Sequence, residues 1–382
     1  MKSRIFFLLI TLIVASADVM AGGPLKQPLT FIESDSIIVW GDDRSDFRTT
    51  ALSAAPELKA RHIIVSNDDV KNYKKNVAVW NKELLPQVNI LGSLGEIGDK
   101  EQLLPTSQMM TQAGKLFLQS ADATYLDVVE RCALNALMVS LRADEMTFEK
   151  HVAAQAMMNV SSMIYATDDV GLFINFYINS STRIKTDQLN FVIDQLTAMP
   201  NSNRVKLRIG GMRKGQQKIV LRLRMPNWAM ASAGNEKQHF ALEGVPEHLP
   251  TVYVNGREEF YHMEHGYLVI DRLWNSGDEV YFDFPFAVRY LYNAPKGKTD
   301  YRQVALQRGP LVYGLTEAFD GSLMACETKF IEEDEPNDDA HSMVAATVKV
   351  AGDKTQKLEA QPVMDGVKQI WMKNMPPSVY QK

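Results

Sequence analysis

The spacing of apolar residues changes once along this chain, and that change limits what it can fold into. From Val77 to about residue 167, apolar side chains recur every three or four positions; beyond Asp169 they recur at every second position or in short solid runs. A chain patterned this way builds helices first and sheets second. The run from Thr106 to Ser120 predicts a helix with Met109, Met110, Ala113, Leu116 and Phe117 on one face. Asp122 is placed to cap a second helix, in which Tyr125, Val128, Val129, Cys132, Leu134 and Leu137 form a buried stripe. Phe148 to Tyr165 predicts a third, carrying Ala153, Met157, Val160 and Ile164. Ahead of these, Val77 to Leu85 is amphipathic and stopped by Pro86, and the glycines of Gly92 to Asp99 mark a loop.

In the second part, Leu172 to Ile178 is a strongly apolar strand. From Lys218 to Met225, Ile219, Leu221, Leu223 and Met225 alternate with residues that include Arg222 and Arg224, which predicts one buried face and one wet face. Val252-Tyr253-Val254 runs into Asn255-Gly256, a pair that favours a hairpin. Tyr267 to Ile270 reads as a further strand, and Val280, Phe282 and Phe284 alternate before Pro285. Short strands with frequent turn signals predict an antiparallel β-sandwich. Near the start, Phe31 to Trp40 reads as one strand followed by the turn Gly41-Asp42-Asp43, and residues 55–75 carry mixed signals. The expected division is a leader at 1–21, an unassigned segment at 22–76, a helical region at 77–167, a β-sandwich at 168–320, and C-terminal strands with an acidic loop at 321–382.

The leader is read from chemistry. Lys2 and Arg4 form a basic start, Ile5 to Ala17 is apolar, and Val19-Met20-Ala21 offers small residues for cleavage before Gly22, so a secreted or periplasmic location is expected. The apolar run is too short for a comfortable membrane span, and no later stretch reaches spanning length. With 41 Lys and Arg against 46 Asp and Glu, the chain has no basic field for a phosphate backbone, so nucleic acid is not expected as a partner. Its two cysteines, Cys132 and Cys326, cannot build a three- or four-thiolate metal site within one chain. Whether they pair as a disulfide or stay as thiols is open in the sequence.

Few constellations carry chemistry. His262-Met263-Glu264-His265 has metal-capable side chains, but on a strand 262 and 264 face away from 265, so a solvated hairpin end is expected. The acidic run Glu332-Glu333-Asp334-Glu335-Pro336-Asn337-Asp338-Asp339 lacks the glycine spacing of a calcium loop and reads as charged surface. No Walker A, Gly-x-Ser-x-Gly or His-Glu-x-x-His motif occurs. Glu96 stands out because a carboxyl in a glycine-rich loop between helices can project into a cleft.

At these same positions the chain resembles glycoside hydrolase family 127, the β-L-arabinofuranosidase-like family. The resemblance is carried by Val79-Trp80, Gly92-Ser93, Gly95-Glu96 and Leu104-Pro105, then by Asp122-Ala123-Thr124-Tyr125-Leu126-Asp127-Val128-Val129-Glu130-Arg131 with Asn135-Ala136. It continues through Leu221-Arg222-Leu223-Arg224-Met225-Pro226-Asn227-Trp228, Val254-Asn255-Gly256, Gly266-Tyr267-Leu268-Val269-Ile270, and Trp274 with Gly277-Asp278. The most specific string is Val304-Ala305-Leu306-Gln307-Arg308-Gly309-Pro310-Leu311-Val312-Tyr313. The resemblance covers roughly residues 75–320. It implies an α+β multidomain chain, with part of an (α/α)₆ helical barrel followed by an antiparallel β-sandwich. It also implies a retaining mechanism with a Cys nucleophile beside a zinc ion held by one Glu and three Cys, and a separate Glu as acid/base. Glu96 matches the acid/base position by its place before Pro105.

The departures concern that chemistry. The family's Glu-x-Cys element is expected after Leu-Pro, where this chain reads Thr106-Ser107-Gln108-Met109-Met110, and the paired cysteines expected around Phe148 to Ala156 have no counterpart. The zinc–thiolate site is therefore not supported, and no metal or other cofactor is expected. The chain is also shorter than the family norm, without a counterpart for most earlier barrel helices. Three readings follow: a glycosidase using carboxylates alone, with Glu96 as acid; a catalytically impaired, non-catalytic glycan-binding protein with Trp80 or Trp228 as stacking surfaces; and a truncated remnant whose exposed apolar faces favour a homo-oligomer. All three associate the chain with arabinose-containing glycans or oligosaccharides.

Overall fold

The last α-helix runs into a 3-10 turn that ends at Met163, and the strand-rich part of the chain begins at Tyr165, close to where the apolar period changes. The structure is a computed structural model that describes residues 23–39, 47–98, 102–142, 145–230, 239–241, 244–294, 300–332, 342–350 and 354–375. The expected leader at 1–21, Trp40, the Gly41-Asp42-Asp43 turn and residues 333–339 of the acidic run lie outside them. The architecture is mixed α+β, helices first and three sheets after.

Helix Leu103–Ser120 buries the whole predicted stripe of Met109, Met110, Ala113, Leu116 and Phe117. It starts three residues early because Pro105 falls in the first turn, where its missing N–H is not needed. Asp122 does not sit at the cap itself. Its carboxylate accepts the Thr124 amide at 3.0 Å and the Thr124 hydroxyl at 2.8 Å, at the start of helix Thr124–Arg131. That helix continues through a π turn, Cys132–Leu137, into Met138–Leu141. Tyr125, Val129, Cys132, Leu134 and Leu137 are buried as expected, and Val128 is only half-buried. The third helix is Phe148–Val160, shorter than predicted. Ser161 and Ser162 turn their hydroxyls onto the carbonyls of Met158 and Asn159, and Tyr165 opens a strand instead.

Residues 22–76, without an assigned fold in the sequence, supply short helices and two sheet edges. The single strand expected from Phe31 to Trp40 is split by a 3-10 turn at Ser34–Ser36, where the Ser34 hydroxyl meets that of Ser161 at 2.7 Å. Thr30–Phe31 pairs with Tyr165–Thr167, and Ile37–Val39 pairs with Ser180–Lys185, so the two halves join different sheets. Helices Phe47–Ala54, Asn67–Lys71 and Tyr73–Val79 bury two residues at most each, which explains their weak signal in the sequence.

Among the described residues the first sheet has the order Thr30–Phe31, Tyr165–Thr167, Gly171–Ile174, Gln216–Arg224, Tyr267–Asn275, His262–Glu264. The second has the order Arg257–Glu258, Tyr253–Val254, Glu279–Asp283, Arg204–Gly210, Asn190–Thr197, Ser180–Lys185, Ile37–Val39. A third gathers His239–Ala241 with the strands from Val288–Asn293 onward, with Asp300–Arg308 and Leu311–Leu315 at its centre. One central pair departs from the antiparallel expectation. Gly171–Ile174 runs parallel to Gln216–Arg224, because the chain crosses to the second sheet and back between them. The apolar run expected to continue as a strand to Ile178 leaves the ladder at Asn175, whose amide nitrogens bond the carbonyls of Met163 and Ile164. The Asn255-Gly256 hairpin forms as expected, with φ of 50° and 75° at the two turn residues. So does the exposed hairpin end at His262–Glu264.

The first sheet is covered on both faces. Ile219, Leu221 and Leu223 point one way and share one continuous buried cluster with Val205, Leu207, Ile209, Val280 and Phe282 of the second sheet. The opposite face meets the helices: Phe117 stacks on Phe31 at 5.7 Å and lies 6.1 Å from Phe173 and 6.3 Å from Tyr267. This overturns the wet face expected at Arg222 and Arg224. Arg222 lies over the Phe173 ring at 4.4 Å and pairs with Asp168 at 3.1 Å, and Arg224 is fully buried. Alternation correctly separates the two faces of a strand, but what covers the second face is decided by residues far away in the chain.

Phe31 fastens the N-terminal segment to this layer. Phe31→Ala is expected to lower unfolding free energy by about 3–4 kcal/mol in urea titrations, by loss of burial and an unfilled cavity. A loss below about 1 kcal/mol would show that the segment is not part of the core.

Candidate functional site

Glu96 lies on the exposed tip of the loop between the 3-10 turn Leu85–Gln87 and helix Leu103–Ser120. The base of this loop is firmly built. Val88 and Leu94 form an antiparallel bridge, and the Asn89 side chain donates to Ser93 Oγ at 2.8 Å and to the Gly95 carbonyl at 3.1 Å. The Leu94 amide donates to Thr106 Oγ1 at 3.0 Å, which ties the loop to the next helix. Gly92, with φ of 89°, passes so close to the helix backbone that an added Cβ would lie 2.4 Å from the Cys132 nitrogen, so only glycine fits. The outcome is a fixed loop base that presents a solvent-facing carboxylate. Among the described residues, Glu96 shares no hydrogen bond or ion pair with another side chain.

The zinc site implied by the resemblance does not fit the donors present. Cys132 is buried in helix packing, and burial pushes its thiol well above the ordinary range, so it packs as a neutral group. Cys326 is exposed and unpaired in a different region, which leaves both cysteines as thiols. Among the described residues no group of three or more His, Cys, Asp or Glu side chains is placed to hold a metal ion. No catalytic step is therefore routed through one.

The strongest electrostatic feature lies between the helices and the first sheet. Arg224, fully buried, donates from Nη1 to Asp127 Oδ1 at 2.8 Å, from Nη2 to Glu130 Oε1, and from Nε to the Asn175 carbonyl at 2.5 Å. Asp127 and Glu130 are three positions apart on one helix and so face the sheet together. Trp228 Nε1 donates to the second oxygen of Glu130 at 2.9 Å. The Tyr177 hydroxyl donates to the Arg224 carbonyl at 2.7 Å, and the Tyr267 hydroxyl to Asn175 Oδ1 at 2.7 Å. Burial lifts the Asp127 carboxyl to about 7, with Arg224 opposing the rise and Glu130 adding to it. Nearby, burial holds the guanidinium groups of Arg131 and Arg289 down at about 10. Four residues beyond Arg131, Asn135 donates to the Pro310 carbonyl at 3.1 Å and accepts the Val312 amide at 2.8 Å, joining the helix to the third sheet.

These contacts change the reading of several sequence features. Trp80 and Trp228, the two candidate stacking surfaces, are both buried, Trp80 against Tyr125 and Trp228 between Phe284 and Phe286. The string around residues 122–136 bonds the string 221–228 through Asp127 and Glu130, and the backbone of the string 304–313 through Asn135. Among the described residues, no contact brings Glu96 to this cluster. The signal that could have exposed the cluster is the pair of acids at 127 and 130 inside an otherwise apolar helical stripe, opposite arginines inside an alternating strand.

With this geometry, residues 171–286 match the family model described as the beta-L-arabinofuranosidase, GH127 middle domain. Among solved structures the chain is similar to a GH127 beta-arabinofuranosidase at 19% identity and a TM-score of 0.64, over 87% of this chain and 60% of that one. It is similar to a GH127 beta-L-arabinofuranosidase from Geobacillus stearothermophilus T6 at 18% identity and a TM-score of 0.61, over 86% and 59% of the two chains. A structure described as a glycoside hydrolase aligns at 16% identity with a TM-score of 0.64, over 86% and 64%. No curated protein matches the chain. The chain thus spans about three-fifths of the length of these solved structures. The likeness shows a shared fold, and with the middle-domain match it bears out the family 127 resemblance.

Two outcomes follow from the buried cluster. Arg224→Met leaves Asp127 and Glu130 buried without their cation and is expected to cost about 3–5 kcal/mol in chemical unfolding. A near-neutral result would show that the Arg224 pairing does not hold the layers together. The second outcome concerns pH. A carboxyl raised to about 7 in the folded protein keeps a proton that the unfolded chain loses near about pH 4, so its contribution is full below that pH and is lost as pH climbs through about 7. Compared with Asp127→Asn, the wild type should therefore lose stability between about pH 4 and about pH 7 and level off above. A gap that stays constant, or moves the other way, would contradict the assignment.

Proposed function

We propose that this chain is an exported glycan-associated protein built on a GH127-like scaffold, acting on or binding arabinose-containing glycans without the family's thiolate chemistry. The observation that carries the reading is that 87% of the chain superposes on a GH127 beta-arabinofuranosidase while its only buried cysteine is a neutral packing thiol. In this reading the helices of residues 77–167 correspond to the end of an (α/α)₆ barrel, and residues 168–320 to the β-sandwich that follows. The leader at 1–21 directs export. Glu96 holds the position of the acid/base.

Its setting argues for impairment. A retaining glycosidase pairs its acid with a nucleophile about 5 Å away, across the scissile bond. Glu96 instead faces solvent on a loop tip, and where the family's Glu-x-Cys element is expected this chain has Thr106-Ser107-Gln108 in the first turns of a helix, with no cysteine from Phe148 to Ala156 either. The scaffold keeps the loop's shape through Gly92, Asn89 and Thr106 while the second reacting group is missing.

The test is hydrolysis of an aryl β-L-arabinofuranoside by the protein from residue 22 onward, beside Glu96→Gln. The reading predicts no release above the uncatalysed rate from a cooperatively folded sample, with arabino-oligosaccharide binding retained. Turnover that is lost in Glu96→Gln would overturn impairment and establish a carboxylate-based enzyme. Turnover that survives the substitution would remove Glu96 from the chemistry.

A further inference from the structure

Strand register places a strip of side chains on the solvent face of the second sheet. Tyr253 is opposite Tyr281, Tyr281 is opposite Lys206, and Lys206 is opposite Leu196, so these four side chains form one row across four adjacent strands. All lie on the outer face, since Val254, Val280, Phe282, Val205 and Leu207 occupy the inner one. With neighbouring strands about 4.8 Å apart, the row is about 14 Å long, the length of a short oligosaccharide. The tyrosine rings are 6.4 Å apart and tilted by 40°, and both are exposed. Leu196 closes the far end, 45% exposed.

Polar groups line both sides of this apolar floor. On one side Glu279, Arg208 and Asp194 follow each other in register, with Glu279 bonded to Lys206 at 2.8 Å and Asp194 accepting the Ser181 hydroxyl at 2.6 Å. On the other side Asp283 accepts the Tyr281 hydroxyl at 2.7 Å and lies 4.0 Å from Arg204. Arg204, Lys206 and Arg208 stand against Asp194, Glu279 and Asp283, so the middle of the strip is neutral, with Glu258 at its outer end beside Tyr253. A neutral strip does not attract a phosphate backbone or an anionic membrane. Flat rings with hydrogen-bond donors and acceptors along both edges suit a ligand with apolar C–H faces and hydroxyl rims.

We propose that this face is a glycan-binding platform for a neutral, arabinose-containing oligosaccharide, which stacks on Tyr253 and Tyr281 and bonds through Lys206, Arg204, Asp283 and Glu279. The proposal rests on the glycan association proposed above and gives it a surface, distinct from the Glu96 loop. The platform replaces Trp80 and Trp228, whose burial removes them as stacking surfaces.

The experiment is calorimetric titration of the full chain with linear arabino-oligosaccharides, and with xylo- and cello-oligosaccharides as comparators. The double variant Tyr253→Ala/Tyr281→Ala is run alongside. Tyr253→Leu/Tyr281→Leu is also run, to keep apolar bulk on the strands while removing the rings. Melting curves of all three proteins report folding. The platform predicts arabino-oligosaccharide binding that weakens by about tenfold or more in both variants while the Leu variant melts like the wild type. Binding that is equal in wild type and the Leu variant would overturn the platform and leave the glycan reading standing. Binding only to comparator sugars, lost in the variants, would keep the tyrosine platform and overturn its arabinose assignment. A wild type that binds no sugar would overturn both.

Discussion

Arg224 is the constraint on which the arrangement of layers depends. A guanidinium with no solvent exposure is tolerable only if its charge and its donors are matched, and here one helix supplies both carboxylates while Asn175 supplies a carbonyl. Because Asp127 and Glu130 come from a helix and Arg224 from the centre of the first sheet, the pairing fixes how those two layers face each other. Trp228 uses the remaining Glu130 oxygen, and Asn135 repeats the device toward the third sheet by bonding both sides of the Pro310 turn. Such contacts are directional, so they specify one docking geometry where apolar packing alone would accept several.

The strings that carry the sequence resemblance are those that join the layers: the helix with Asp127, Glu130 and Asn135, the strand ending in Arg224 and Trp228, and the turn at Pro310. Their requirements are met within the fold, with no reference to a metal or a thiolate. The fold can therefore persist while the chemistry differs. Cys132 illustrates the separation, since it fills a helix-packing position with the Gly92 backbone against it and its thiol held neutral by burial.

Much of this was legible in residue spacing. The helical stripe from Met109 to Phe117, the hairpin at Asn255-Gly256 and the alternation of Val280, Phe282 and Phe284 each report local geometry, which short-range pattern encodes. The arginines at 222 and 224 were legible as occupants of the second face of a strand, but not as buried, because their partners are distant in the chain: Asp168 and Phe173 for Arg222, Asp127 and Glu130 for Arg224. The split of the segment from Phe31 to Val39 between two sheets has the same origin, since both of its partners are distant. Of the candidate site, the loop and its Glu96 were readable from glycines and resemblance. The Tyr253–Tyr281 row was not, because adjacency across strands is set by register and not by sequence neighbourhood.

In the proposed reading this scaffold serves recognition of a glycan and not bond cleavage. A crystal structure of the full chain soaked with an arabino-oligosaccharide tests this most directly. The account predicts sugar density lying across Tyr253 and Tyr281 on the outer face of the second sheet, with the glycosidic bonds intact. Density seated against Glu96, or cleaved sugar there, would contradict it.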